Sequence, residues 1–331
     1  MKTYRVGIIG CGGIANGKHM PSLASVPNVE MVAFCDIVLE RAEAAAQKFG
    51  TEDAKVYTDY RDLVARDDID IVHVCTPNSS HCEISVAAME SGKHVMCEKP
   101  MALNYADARK MVEVSKKTGK KLSIGYQMRS QKEFQLARHL VKNGYLGDIY
   151  YVRAKCMRRR GIPTWGVFLD YEKQGGGPMI DIGTHALDAA MYIIGNYDVE
   201  SVMGVSYQKL GADVAVSNNG RLFTAEEYQV EDSAMGFVRF KNGCAMTIEA
   251  TWAINLEDSG ATPVIVGDKA GLSFENGNIR VNGELDGHLY EQIVHPNKYT
   301  RDLFKGNDMD NNKYEAHQWI YAIENDCDPL V

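Results

Sequence analysis

The chain has 331 residues, 45% of them hydrophobic and 24% charged, with a formal net charge of −8. That length exceeds one small core and suits two domains of ordinary size, and the composition is that of a globular protein. The negative balance leaves no electrostatic case for a nucleic-acid or anionic-membrane partner, and no apolar run approaches the ~20 residues of a membrane-spanning helix. The one dense basic run, Arg158-Arg159-Arg160, reads as a local anion contact or a solvated turn. Cysteines are spread without a CxxC pair or a His-rich cluster, which argues against a zinc site, and no metal is expected. Cys35, Cys75 and Cys97 fall in apolar runs, where a free thiol acts as a small hydrophobe; a reducing, cytoplasmic location is expected.

MKTYRVGIIGCGG opens the chain with an apolar run too short and too glycine-rich for a signal peptide, and it reads as a first strand. Further apolar runs follow at 29–36, 69–77, 93–100 and 121–127. Between them lie amphipathic segments closed by glycine, such as LERAEAAAQKFG (39–50) and HCEISVAAMESG (81–92). Fully apolar strands alternating with helices imply a parallel sheet covered on both faces. Residues 1–125 are therefore expected to form a doubly wound α/β domain, with ligands outside the carboxyl ends of its strands.

The first strand runs into Gly10-Cys11-Gly12-Gly13-Ile14-Ala15, a GxGxxG/A pattern. Gly10 would allow the tight turn, Gly12 would let the backbone approach a pyrophosphate and Ala15 would keep the helix close to the sheet, with Gly13 and Ile14 also expected to bind the cofactor. Asp36 closes the second strand, somewhat beyond the ~20-residue spacing usual for this pattern, with Pro21 and Pro27 in a longer intervening loop. A carboxylate there accepts hydrogen bonds from ribose hydroxyls and repels a 2′-phosphate, so NAD(H) is expected over NADP(H). Two more strands end in polar loops, CTPNSSH (75–81) and CEKPMAL (97–103), which places Thr76, Asn78, His81, Glu98 and Lys99 as candidates lining the cofactor crevice.

After about residue 126 the pattern changes. QKEFQLARHLVKNGYLG reads as a helix, followed by strand-like runs at 149–159, 199–208, 232–240, 244–254 and 263–274. KNG (241–243) is a hairpin signal. Residues 126–331 are thus expected to form an α+β substrate-binding and oligomerisation domain on a largely antiparallel open sheet. Within it, GGGPMIDIGTHALDAAMYIIG places Pro178 at a helix start. Asp181, His185 and Asp188 then share one face by their spacing, and Ile180, Leu187, Met191 and Ile194 are expected on the core side. From the residues alone, His185 is either a surface histidine or a proton-transfer group.

GIIGCGGIA, the Cys35-Asp36 pair, CTPNSSH, EKPMAL and GGGPMIDIGTHALD follow one another in an order that resembles the Gfo/Idh/MocA oxidoreductases, the family of glucose–fructose oxidoreductase and inositol dehydrogenase. The resemblance covers essentially the whole chain. It implies that Lys99 reaches between the nicotinamide and a substrate hydroxyl and that the Lys99–Pro100 bond is cis. It implies a catalytic pair in His185, which would exchange the hydroxyl proton, and Asp181, which would bind a neighbouring hydroxyl or tune Lys99. Tyr126 and Arg129 correspond to crevice-lining positions, while Trp165, in GIPTWGVF, would stack on a sugar or on the nicotinamide; domain-interface packing is the alternative for all three. Dimers or tetramers through the second sheet are implied, as is one helix beyond HQWIYAIENDCDPLV, where this chain stops at Val331. The expected activity is NAD(H)-dependent oxidation of a secondary alcohol of a sugar, cyclitol or glycoside. Redox-neutral glycoside cleavage through transient oxidation and a non-catalytic NAD sensor are the alternatives.

Overall fold

In the computed structural model, residues 2–211, 223–257 and 259–331 are described. The chain divides into two units, one of Met1–Gln127 with Met309–Val331, the other of Met128–Asp308.

The first unit is built on β1 (Tyr4–Ile9), β2 (Val29–Cys35), β3 (Lys55–Tyr57), β4 (Ile71–Val74), β5 (His94–Cys97) and β6 (Leu122–Ile124). They form a parallel sheet in the order β3-β2-β1-β4-β5-β6. Every residue of β4 is buried, as continuous apolar strands between two helical layers require. The helices Leu39–Phe49, His81–Glu90 and Tyr105–Thr118 form the crossovers. In the last of these the Asn104 side chain accepts from Asp107 N at 3.0 Å, and Gly119 ends it in the left-handed region. Chain order reverses between β1 and β4, so the crevice opens at their carboxyl ends. The short β3, partly exposed, has too few residues to show a periodic signal.

The helix Asn311–Glu324 also belongs to the first unit, whereas the sequence reading assigned 126–331 as a whole to the second domain. Its apolar side explains the grouping: Ala316, Trp319 and Ile320 join the core around Val6, Ile8 and Phe34 of the parallel sheet. Burying an indole and a branched side chain there is worth several kcal/mol at roughly 25 cal/mol per Å².

The second unit holds β7 (Ile149–Met157), β8 (Val199–Tyr207), β9 (Ser233–Phe240), β10 (Ala245–Thr251), β11 (Val264–Gly267), β12 (Ala270–Glu275), β13 (Asn278–Leu285) and β14 (His288–Val294). Among the described residues their order is β14-β13-β12-β11-β7-β10-β9-β8, antiparallel except for the β7–β10 pair. Residues 263–274, read as one run, are a hairpin turning at Asp268-Lys269. The β13–β14 hairpin turns on Asp286 and Gly287, both at positive φ, a Asp-Gly signal the sequence reading passed over.

The helix Thr184–Ile194 packs on β7 through Ala186, Ala189, Ala190 and Ile193. The expected core side of Ile180, Leu187, Met191 and Ile194 is therefore corrected: all four are only half-buried. Leu187 and Met191 instead line an apolar groove with Val202, Val238 and Ile248 of the sheet. Residues 179–183 form a π-helical turn, and in the regular helix after it the buried side is the alanine side, whose small side chains let the helix approach the sheet closely.

Candidate active site

Gly10 lies at φ 88°, and a Cβ there would stand 2.5 Å from Cys75 O at the end of β4, so the turn tolerates glycine alone. Gly12 and Gly13 are different: a Cβ at either would meet nothing within 4 Å. Open space beside a glycine turn at a strand end is what a pyrophosphate needs, and the turn fits a dinucleotide. Ile14 is 43% exposed beside it. Asn16 holds the turn from below, its Nδ2 donating to Cys11 O at 2.8 Å and Gly12 O at 3.1 Å.

Asp36 is brought to the same turn. Its Oδ2 accepts from Cys11 N and its Oδ1 from Val38 N, both at 2.9 Å, leaving the carboxylate oriented and largely buried. Its neighbours went unnoticed in the sequence: Ile37 is 90% exposed, and the exposed Arg41 places Nη1 4.0 Å from Asp36 Oδ1. The Cys11 thiol, buried and facing Asp36, is pushed up to about 12, so it stays protonated and inert.

The loops after β4 and β5 are tied together behind the crevice. His81 is wholly buried, with Nδ1 2.8 Å from Pro100 O and Nε2 2.8 Å from Thr76 O. Burial lowers its pKa against the pull of the two carbonyls. Proposed from sequence as a crevice-lining side chain, His81 is found joining two backbone loops. Thr76 is half-buried and accepts from Ser80 Oγ at 2.7 Å; Asn78 is buried. Glu98 likewise points inward: its Oε1 meets Lys18 and His19, and its Oε2 accepts from Lys99 N. Lys99 is half-buried at the carboxyl side of β5, and its bond to Pro100 is cis. Tyr126, after β6, packs against the core of the first unit.

In the second unit, Asp181 is buried in the π-helical turn, where its Oδ2 accepts from Trp252 Nε1 at 3.0 Å. His185 follows, half-buried, in the first turn of Thr184–Ile194. Asp188 and Arg129 are engaged with each other in a two-pronged ion pair (Nε to Oδ2 2.9 Å), and Arg129 also lies over the Tyr192 ring. Arg129 thus braces the helix that carries His185. Trp165 is 55% exposed and begins an aromatic row: it meets Phe168 edge-on at 5.8 Å, and Phe168 meets Trp252 at 6.3 Å.

The sequence reading also missed Glu231. Its carboxylate accepts from Gly177 N at 2.8 Å and Met179 N at 3.3 Å, capping the start of the catalytic-candidate helix. Gly177 has no alternative, since a Cβ would lie 2.1 Å from Glu231 O. Glu231→Ala is expected to lower stability by about 1–2 kcal/mol, as lost caps do, and Glu231→Gln by less because it keeps an acceptor. Urea melts of the two variants against wild type check this. Among the described residues no cluster of three or more His, Cys, Asp or Glu side chains could hold a metal.

A parallel sheet with a glycine turn at its switch point and an oriented aspartate at the next strand end defines a dinucleotide-binding fold. The chain belongs to the Gfo/Idh/MocA oxidoreductase family: residues 4–126 match its NAD-binding Rossmann domain and residues 134–273 its C-terminal domain. It is 40% identical over 302 residues to D-glucoside 3-dehydrogenase of Escherichia coli, covering 90% of this chain and 85% of that protein. It is 31% identical over 245 residues to Myo-inositol 2-dehydrogenase of Thermotoga maritima, covering 74% and 67%. The crystal structure of an oxidoreductase domain protein from Kribbella flavida superposes with a TM-score of 0.84 at 27% identity, over 99% of this chain and 92% of that one.

Proposed function

We propose that this oxidoreductase oxidises a secondary ring hydroxyl of a glycoside or cyclitol with NAD, the 3-hydroxyl of a D-glucoside being the first candidate. The observation that supports the reading most is the Lys99-Pro100 turn after β5, on the same carboxyl edge of the parallel sheet as the glycine turn after β1 and Asp36 after β2. The relative with 40% identity, named for oxidation at position 3 of a glucoside, supports the substrate class. The dinucleotide, when bound, supplies the hydride acceptor. Gly12 and Gly13 leave room for its pyrophosphate, and Asp36 faces the ribose. Lys99 holds a positive charge against the substrate oxygen as its proton leaves, and His185 takes that proton. Asp181, oriented by Trp252, binds a neighbouring hydroxyl. Trp165 presents a ring face suited to the apolar side of a sugar. Incubating the protein with glucosides, inositols and free sugars, and following NADH absorbance, tests this. A panel without turnover in either direction overturns it.

NAD is expected to bind at least ~10-fold more tightly than NADP, about 1.4 kcal/mol. Asp36→Ser should narrow that gap, because it removes the carboxylate and leaves Arg41 free to meet a 2′-phosphate. Fluorescence titration with both dinucleotides measures it, and equal affinities in wild type would take Asp36 off the ribose.

A homo-oligomer formed through the second sheet is part of the proposal. Every residue of the edge strand β8 is exposed, with Val202, Met203 and Val205 on its two faces. Unprotected apolar edges are places where another chain pairs or packs. A cytoplasmic location is supported by the cysteines, which are all free. No helix among the described residues is long and apolar enough to cross a membrane.

A further inference from the structure

A charged cluster lies buried inside the first unit. Lys18, 5% exposed, places Nζ 3.0 Å from Glu98 Oε1 and 2.9 Å from Glu315 Oε2. His19, 3% exposed, sets Nε2 2.7 Å from the same Glu98 oxygen and Nδ1 3.0 Å from His73 Nδ1. Lys18 and His19 are adjacent in sequence yet both face inward, because residues 15–19 form a π-helical turn in the helix after the glycine cradle. Glu315 arrives from the helix Asn311–Glu324.

Burial opposes each of these charges, and the partners override it. Burial works to raise the Glu98 carboxyl, but Lys18 and His19 hold it well below the usual carboxylate range. Burial likewise works to lower the Lys18 ammonium, and Glu98 and Glu315 raise it instead. Burial, His19 and Lys18 together push His73 well down, so that ring is neutral. Such a cluster is weak as a source of stability, since well-packed apolar residues of the same volume commonly do as well or better. A use other than stability is needed, and the cluster has one outlet toward the crevice. Glu98 Oε2, the oxygen not held by Lys18 and His19, accepts from Lys99 N at 3.1 Å.

We propose that Lys18 is a positioning residue for Lys99: held between Glu98 and Glu315, it fixes the Glu98 carboxylate and, through it, the backbone from which Lys99 projects. The inference rests on the reading of Lys99 as the group that meets the substrate oxygen. It also gives Gly125 a reason. A Cβ at Gly125 would stand 2.8 Å from Glu98 Oε1 and 3.0 Å from Glu98 Cδ, so this glycine leaves the carboxylate its seat. The C-terminal helix, through Glu315, becomes part of the support for Lys99.

Two variants of the full chain test it. Gly125→Ala keeps every charge and presses on the held Glu98 carboxylate, with folding checked by a thermal melt; Lys18→Met removes the cation. Both should bind NAD as wild type does and leave KM for the sugar unchanged. Turnover should drop by about 10- to 100-fold, the usual effect of a reacting group displaced by an ångström or less. As a readout independent of turnover, the rate at which pyridoxal phosphate and borohydride modify Lys99, read by peptide mass, should change while the exposed lysines keep theirs. Should Lys18→Met fail to fold with two carboxylates left unpaired, Gly125→Ala decides alone. Wild-type turnover and wild-type Lys99 labelling in Gly125→Ala would overturn the inference. Absence of turnover in the wild type across the whole sugar panel would instead overturn the dehydrogenase reading on which it rests.

Discussion

Lys99→Met is expected to lower turnover by ~10² or more while the fold and NAD binding survive, because it deletes charge stabilisation at the reacting oxygen. Methionine matches the length of the lysine stem and leaves the backbone free to keep its bond from Lys99 N to Glu98 Oε2. The glycine cradle and Asp36 stand at the ends of other strands, so the dinucleotide keeps its main contacts. Turnover and NAD affinity measured on one preparation separate the two effects. Near-normal turnover in Lys99→Met would remove this lysine from the reaction, and a lost NAD site would make it a cofactor ligand first.

Lys99 and its neighbour Glu98 also mark how far the sequence could be read. The apolar run of β5, the charged pair and the proline are all visible as letters, and they led to the crevice. What Glu98 does there was invisible, because its partners Lys18 and His19, and Glu315 on the far side of Lys18, come from distant segments. Lys18 drew no notice in the sequence; the π-helical turn at 15–19 turns it inward. His81 and Arg129 were legible as polar residues near strand or helix ends. Their jobs, joining two loops and bracing the Asp188 helix, depend on pairings that spacing does not encode. The fold class was easier because it rests on alternation repeated over many elements, where a missed short strand such as β3 changes nothing. The second sheet was read less fully: β14 is almost wholly exposed and β13 mostly half-buried or exposed, so the apolar alternation that reveals a half-buried strand is faint there.

His185→Asn is expected to depress turnover by ~10²–10⁴, the usual worth of a positioned acid or base, and to flatten the acid limb of the pH–rate profile. The sign follows from the direction of proton flow. Oxidation requires the imidazole to be neutral so that it can accept the hydroxyl proton, and a protonated ring has no lone pair to offer. Activity should therefore fall as the solution is acidified in wild type, and ketone reduction, which needs the proton delivered, should lose rate in the opposite direction. Asparagine keeps a polar group of similar reach but cannot exchange a proton near neutrality, so the helix should stay in place. That helix is held independently of His185, by the Glu231 cap at its start and by the Arg129–Asp188 pair one turn on. A collapse of stability would therefore point to a role the other contacts do not supply. An acid limb unchanged in the mutant would assign the proton to Lys99 or to another group. A limb that vanishes while NAD affinity and melting behaviour stay at wild-type values would establish His185 as the base.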